Sequence, residues 1–206
     1  MLVARILYPI EVLGHGKRIG IWISGCPHRC KLCSNPELQE PDQKYEMSLE
    51  NVMNLVNNIC ECFPVDGFTI TGGEPFFSAN DLDALVTELC DINDDVLIYS
   101  GYTLEELRKM ENKAVDRILA KISVLIDGRY IAERNTGVSL RGSDNQTIHI
   151  LNDSYYENYI VYTRSDVREL QNFYTPSGII SVGIHKDGFM TEITEATGRK
   201  GLVINE

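Results

Sequence analysis

The sequence predicts an α/β fold of parallel strands joined by helical crossovers. Short runs of branched apolar residues alternate along it with longer stretches whose apolar residues recur at helical spacing. The segments that carry glycine, cysteine and acidic side chains follow those runs directly, where the carboxyl ends of parallel strands would gather.

Taken in order, Arg5 to Tyr8 is an amino-terminal strand, and Arg18-Ile19-Gly20-Ile21-Trp22-Ile23-Ser24 is short and apolar enough for a buried one. A helix from Leu49 to Phe63 leads to a strand at Gly67 to Thr71. A helix across Asn80 to Leu89 then leads to a strand at Val96 to Ser100. Helical segments at Leu104 to Met110 and Ala114 to Ala120 precede the strand Val124-Leu125-Ile126, which ends at Asp127-Gly128. Thr147 to Ile150 and Tyr159 to Tyr162 read as further strands. Such alternation implies right-handed crossovers between parallel neighbours.

The tail differs. Ile179 to Ile184 and Phe189 to Ile193 flank Asp187-Gly188 and read as a hairpin that caps an edge or pairs with the amino-terminal strand; His185 there reads as solvent-facing. No repeat or linker divides the chain, so residues 1–206 are expected to form one domain, with 163–206 as a carboxyl-terminal extension.

At 43% apolar and 24% charged residues the composition is that of an ordinary globular protein. No basic segment followed by an apolar run marks a signal peptide and no apolar stretch spans a bilayer, which points away from membranes and to the cytoplasm. A net charge of −11 argues against nucleic acid as a partner.

Three of the six cysteines, Cys26, Cys30 and Cys33, form Cys-x3-Cys-x2-Cys after the second strand. An iron-sulfur cube takes four thiolates and a structural zinc four ligands, so three thiols leave one iron open for another ligand. The alternatives are a zinc knuckle completed by His28 and three buried thiols. His28 stands two residues from each flanking cysteine, an awkward reach for a fourth ligand. Cys60, Cys62 and Cys90 lie in or at the end of helical stretches and read as core thiols, with an auxiliary cluster as the alternative.

Gly72-Gly73-Glu74-Pro75 ends the next strand, and alone it is compatible with a simple tight turn. Together, the cysteine triplet and the glycine-glycine-glutamate resemble the signature of the radical S-adenosylmethionine (SAM) superfamily. That resemblance implies a partial (β/α)6-type barrel, open on one side, with a [4Fe-4S] cluster whose unique iron is chelated by SAM.

It also implies roles. Cys26, Cys30 and Cys33 each ligate an iron; Gly72 and Gly73 admit the methionyl amino group; Glu74 supports the turn or contacts that ammonium. Ser100 and Tyr102 fall where ribose or adenine would lie. Asp127 and Arg129 match an Asp-x-Lys of pyruvate formate-lyase activating enzyme near the methionyl and ribose groups, with arginine in place of lysine; the alternative is that Asp127-Gly128 simply turns the chain and Arg129 is a solvated charge.

Residues 11–37, Tyr99 to Tyr102, Val124 to Tyr130 and Leu140-Arg141-Gly142-Ser143-Asp144-Asn145-Gln146 further resemble the activating components of class III anaerobic ribonucleotide reductases. Such activases abstract a hydrogen atom from a glycine of a large partner, using an electron from a flavodoxin or ferredoxin-type donor. Two alternatives stand beside this: a small-molecule or peptide-modifying enzyme resembling 7-carboxy-7-deazaguanine synthase, and a non-catalytic iron-sulfur electron-transfer protein. The first favours Gln-Gly-Glu-Gly where this chain reads Leu13-Gly14-His15-Gly16.

Overall fold

The computed structural model describes residues 1–175, 178–185, 188, 189 and 195. Six strands form one mixed sheet in chain order: β1 (Val3–Ile10), β2 (Arg18–Ile23), β3 (Gly67–Gly72), β4 (Val96–Ser100), β5 (Val124–Asp127) and β6 (Thr147–Ile150). The four from β2 to β5 run parallel, and β1 and β6 are antiparallel to their neighbours.

The parallel pairs require crossovers, which α1 (Leu49–Cys62), α2 (Ala79–Ile92) and the pair α3 (Leu104–Lys109) and α4 (Lys113–Lys121) supply. Side-chain oxygens start α1 and α3: Ser48 accepts from the amide of Asn51, and Thr103 forms a capping box with Glu106. Between β5 and β6 there is only a single 3-10 turn, Ala132–Arg134, so the chain returns antiparallel. This corrects the expectation of a further parallel strand at Thr147 to Ile150.

Strand alternation sorts the side chains into two layers. Ile19, Ile21, Phe68, Ile70, Val96, Ile98 and Leu125 meet the buried faces of the helices. On the other face, Trp22, Leu97, Val124 and Ile126 join smaller clusters with Leu13, Leu140, Tyr159 and Val182.

Arg18 lies beneath that second face with no exposed surface. Its guanidinium donates to Thr69 Oγ1 (2.7 Å), to the Asp95 carboxylate (2.8 Å) and to the carbonyls of His15, Phe68 and Asp95. Ser123 and Tyr159 donate to the same Asp95 Oδ1, at 2.7 and 2.8 Å.

That contact explains a second correction. Tyr159 to Tyr162 is no strand: Tyr156–Ile160 is a helix, α5, followed by a 3-10 turn at Val161–Thr163. Tyr155, Tyr159 and Tyr162 recur at helical spacing and face one cluster, a periodicity that a four-residue apolar run conceals.

The tail forms a separate antiparallel pair, β7 (Leu170–Thr175) with β8 (Gly178–Gly183). Ile179 to Ile184 is thus the second strand of a hairpin whose first strand precedes it. The Asp187-Gly188 turn and the strand expected to Ile193 lie, apart from Gly188 and Phe189, outside the described residues. β7–β8 docks on β1 without joining its sheet. Among the described residues no helix is long and apolar enough to cross a membrane.

Candidate cluster and cofactor site

At the carboxyl ends of the parallel strands a cavity of about 170 Å³, open to solvent on one side, is lined by Cys26, Cys30, Cys33, Gly72, Gly73, Glu74 and Ser100.

The cysteine loop leaves β2 through Gly25, whose φ of 101° suits glycine. The amides of Gly25 and Cys26 donate to the carbonyls of Leu38 and Gln39, at 2.8 and 2.9 Å. Arg29 and Leu32, the residues just before Cys30 and Cys33, both take left-handed backbone (φ 52° and 54°). Side chains meet a steric penalty there, a strain concentrated at functional loops.

Burial pushes the Cys26 and Cys30 thiols up from their ordinary value, against amides of His28 and Arg29 aimed at Cys26 and of Tyr130 aimed at Cys30. Among the described residues no three His, Cys, Asp or Glu side chains are gathered tightly enough for a single metal ion. Among the described residues the Tyr99 hydroxyl, buried on the same wall, has no hydrogen-bond partner, as a polar group left for a ligand or a water would.

Backbone contact governs the glycines. Gly72 has φ 111°, and a Cβ on it would come within 2.5 Å of the Ile23 carbonyl oxygen; one on Gly73 would overlap the Gly25 carbonyl. The Gly73 amide donates to Ile23 O (2.7 Å) and that of Glu74 to Gly25 O (2.8 Å), which fastens this turn against the root of the cysteine loop.

Glu74 is fully buried and collects four donors. Oε1 accepts from Phe76 N (3.0 Å) and Ser100 Oγ (2.9 Å), and Oε2 accepts from Gly101 N (2.7 Å) and meets His28 Nε2 at 3.1 Å. Tyr102 stands edge-on to that imidazole, with 4.4 Å between ring centres, and does not line the cavity.

Asp127 and Arg129 are placed elsewhere. Asp127 shares the strand parity of Leu125, so its carboxylate turns toward the helix layer, accepts from Leu104 N (2.6 Å) and pairs with His149 Nε2 (2.8 Å). That imidazole is within ion-pair distance but off the line of a well-formed hydrogen bond. Burial works to raise the Asp127 pKa, and His149 with the amides of Leu104 and Thr147 outweighs it, holding the carboxyl below its ordinary value. Arg129 is exposed. Neither residue lines the cavity, whereas Gly128 and Tyr130 between and beyond them do.

Sequence reasoning passed over His28 as a partner of Glu74, although its two-residue spacing from Cys26 and Cys30 marked it. Gln146 likewise had no individual role in the sequence reading. Its Oε1 accepts from Gly142 N (2.7 Å) and Ser143 N (3.1 Å), and its Nε2 donates to Gly128 O (2.7 Å), which holds the turn after β5. His185, expected in solvent, is half-buried on the cavity wall. Cys60 and Cys90 are half-buried as expected of packed thiols, but Cys62 is exposed; none of the three lines the cavity.

A 4Fe-4S single cluster domain family matches residues 12–149, a span that holds the cysteine loop, the glycine turn and Gln146. Anaerobic ribonucleoside-triphosphate reductase-activating protein of Vibrio cholerae is 33% identical over 152 residues, covering 69% of this chain and 94% of that protein. The chain belongs to the single-cluster 4Fe-4S family of reductase-activating proteins. Proteins of the same name in Escherichia coli K12 (29% over 154 residues; 70% of this chain, 96% of theirs) and Enterobacteria phage T4 (28% over 147; 69% and 90%) are further relatives. Within this family the donor set of the cavity, three cysteine thiols on one loop, suits an iron-sulfur cluster. The family match ends before α5, β7 and β8.

Proposed function

We propose that this protein is a radical SAM activase that generates a glycyl radical on an anaerobic ribonucleotide reductase. The observation that carries the reading is that, in a chain of the reductase-activating family, Cys26, Cys30 and Cys33 share one cavity with the glycine turn of β3. The sheet is read as a partial barrel, closed over that cavity by its loops.

Cys26, Cys30 and Cys33 would hold a [4Fe-4S] cluster with SAM beside the glycine turn, and the pair would supply reductive cleavage of SAM, using one electron from a flavodoxin or ferredoxin-type donor, for abstraction of a hydrogen atom from a glycine α-carbon. The chain's own residues prepare for this. Cys26, Cys30 and Cys33 would each go to a different iron, which suits thiols that face one cavity without meeting at a point. Binding requires their deprotonation, against the burial that raises two of them, so loading releases protons. The amides aimed at Cys26 and Cys30 would stabilise thiolate charge and tune the potential of a cluster held there.

Gly72 and Gly73 let the turn lie against the backbone of Ile23 and Gly25, where any side chain would clash, and both line the cavity where an amino-acid ligand would sit. Glu74 serves the turn and the cysteine loop, and its four donors leave it little capacity for a ligand's ammonium. Ser100 is likewise held by Glu74, with its carbonyl end of β4 at the cavity. Asp127 would act indirectly, by fixing the start of α3, and Arg129 is an exposed charge between the cavity-lining Gly128 and Tyr130.

The test is anaerobic electron paramagnetic resonance on the reconstituted, reduced protein mixed with SAM and its host's class III reductase. A glycine-centred doublet that disappears in Cys30→Ala supports the reading. Formation of 5'-deoxyadenosine without a doublet would retain the radical chemistry and reject the partner.

A further inference from the structure

The hairpin beyond the family match ties together the two ends of the mixed sheet. On the β1 side, Gln171 Nε2 donates to Pro9 O (2.7 Å) and Gln171 Oε1 accepts from Glu11 N (3.1 Å). Val182 of β8 is buried with Ile10, Leu13, Trp22 and Leu38. The chain then reaches the loop between β5 and β6, where His185 O accepts from Asn135 Nδ2 (3.1 Å) and from the Arg168 guanidinium (3.3 Å). Arg168 also donates to Asn135 Oδ1 and to the carbonyls of Val138 and Arg141.

Residues Ser181 to His185 therefore form a strap across the open side of the sheet, and all five line the cavity that holds the three cysteines. Two of them bring polar side chains. His185 Nε2 lies 3.2 Å from Ser181 Oγ, and the ring stacks on Phe189 with 4.2 Å between centres. Burial pushes the imidazole pKa down, so near neutral pH the ring is uncharged, with one donor and one acceptor nitrogen. A neutral donor-acceptor pair matches the N–H and C=O of a peptide; an anionic metabolite would call for a cation, whereas no residue of this five-residue strap carries one and the Arg5 guanidinium, which also lines the cavity, is already paired with Glu37.

We propose that Ser181 and His185 are specificity-determining residues that receive the backbone of the glycine-bearing peptide segment as it enters the cavity. The proposal rests on the activase reading above. Both act as positioning residues: no bond is made or broken at them, and their effect falls on which segment enters and how it lies.

The test uses the reconstituted protein with its host's class III reductase under anaerobic reducing conditions, with iron content and the SAM-dependent resonance of the cluster as checks of folding. In Ser181→Ala and His185→Ala, KM for the reductase in glycyl-radical formation is expected to rise about fivefold, the scale of one lost neutral hydrogen bond, with kcat little changed. The Kd for the reductase, measured calorimetrically, should rise in parallel. His185→Gln, which keeps a neutral side-chain amide, should recover most of the loss.

Unchanged KM and Kd in both alanine variants would overturn the proposal. So would loss of the SAM-dependent resonance at unchanged iron content, because the strap would then hold the cofactor. A wild-type protein that yields no glycyl radical with the reductase would instead overturn the activase reading, and this proposal with it.

Discussion

His28 Nε2 lies 3.1 Å from Oε2 of Glu74 in the interior, so the cysteine loop and the glycine turn of β3 converge on one carboxylate. Three further donors, from Phe76, Ser100 and Gly101, meet the same group. Glu74→Gln replaces one acceptor oxygen with a donor that faces donors. A loss of about 2–4 kcal/mol is expected, together with weaker iron retention. Urea unfolding and iron per chain after reconstitution check this; values equal to wild type would remove Glu74 as the strut of the loop.

Gly101 tests the same contact from the other side. A Cβ there would overlap the His28 ring, with Nε2 only 2.7 Å away. Gly101→Ala should displace the imidazole and cost about 1–3 kcal/mol. Because both changes break one cluster of contacts, the Glu74→Gln/Gly101→Ala double variant should be less destabilised than the sum of the singles; simple additivity in a double-mutant cycle would separate the two effects.

Arg18 and Asp95 form a buried pair at 2.8 Å beneath the cavity face. Arg18→Met leaves the Asp95 carboxylate buried with only hydroxyl donors from Ser123 and Tyr159, a loss of about 3–5 kcal/mol. Adding Asp95→Leu removes the stranded charge and should restore part of it. Denaturant midpoints of the single and double variants measure the recovery, and a double variant less stable than Arg18→Met would contradict it.

Asp127 carries a pH signature. Its carboxyl is held below the ordinary value in the folded state, so its stabilising contribution is complete above the unfolded value of about 3.9 and is lost as pH falls toward the lower folded value. Asp127→Asn should therefore destabilise the protein at pH 7, and its difference from wild type should shrink below about pH 4. Thermal or urea unfolding from pH 7 down to 3 follows the trend. A difference independent of pH would assign the effect to packing.

Much of the fold was legible because the relevant signals are local. β4 runs over the residues its apolar pattern delimits, Val96 to Ser100, and the helix expected at Leu49 to Phe63 starts at its Ser48 cap and ends one residue early. The cavity lining was legible for the same reason: Cys26, Gly72 and Ser100 each lie at or just past the end of a parallel strand, and parallel strands bring those ends together.

Asp127 marks where local reading stops. It too ends a parallel strand, but its direction follows from parity with Leu125 and from an acceptor need at the start of α3, neither of which its own motif encodes. Likewise, Tyr159 is drawn into a helix by a hydroxyl contact with Asp95, sixty-four residues distant in the chain.

The sequence by itself determined the alternation of strand and helix, the cysteine and glycine motifs and their order. Apolar periodicity and backbone permissiveness act over a few residues, and any chain that folds must honour them. Only the tertiary structure decided that Glu74 faces His28 instead of standing free in the cavity, that β6 returns antiparallel, and that a tail strand walls the site. Those outcomes depend on which distant groups must share hydrogen bonds or exclude water, and that is settled when the sheet, its loops and the tail pack together.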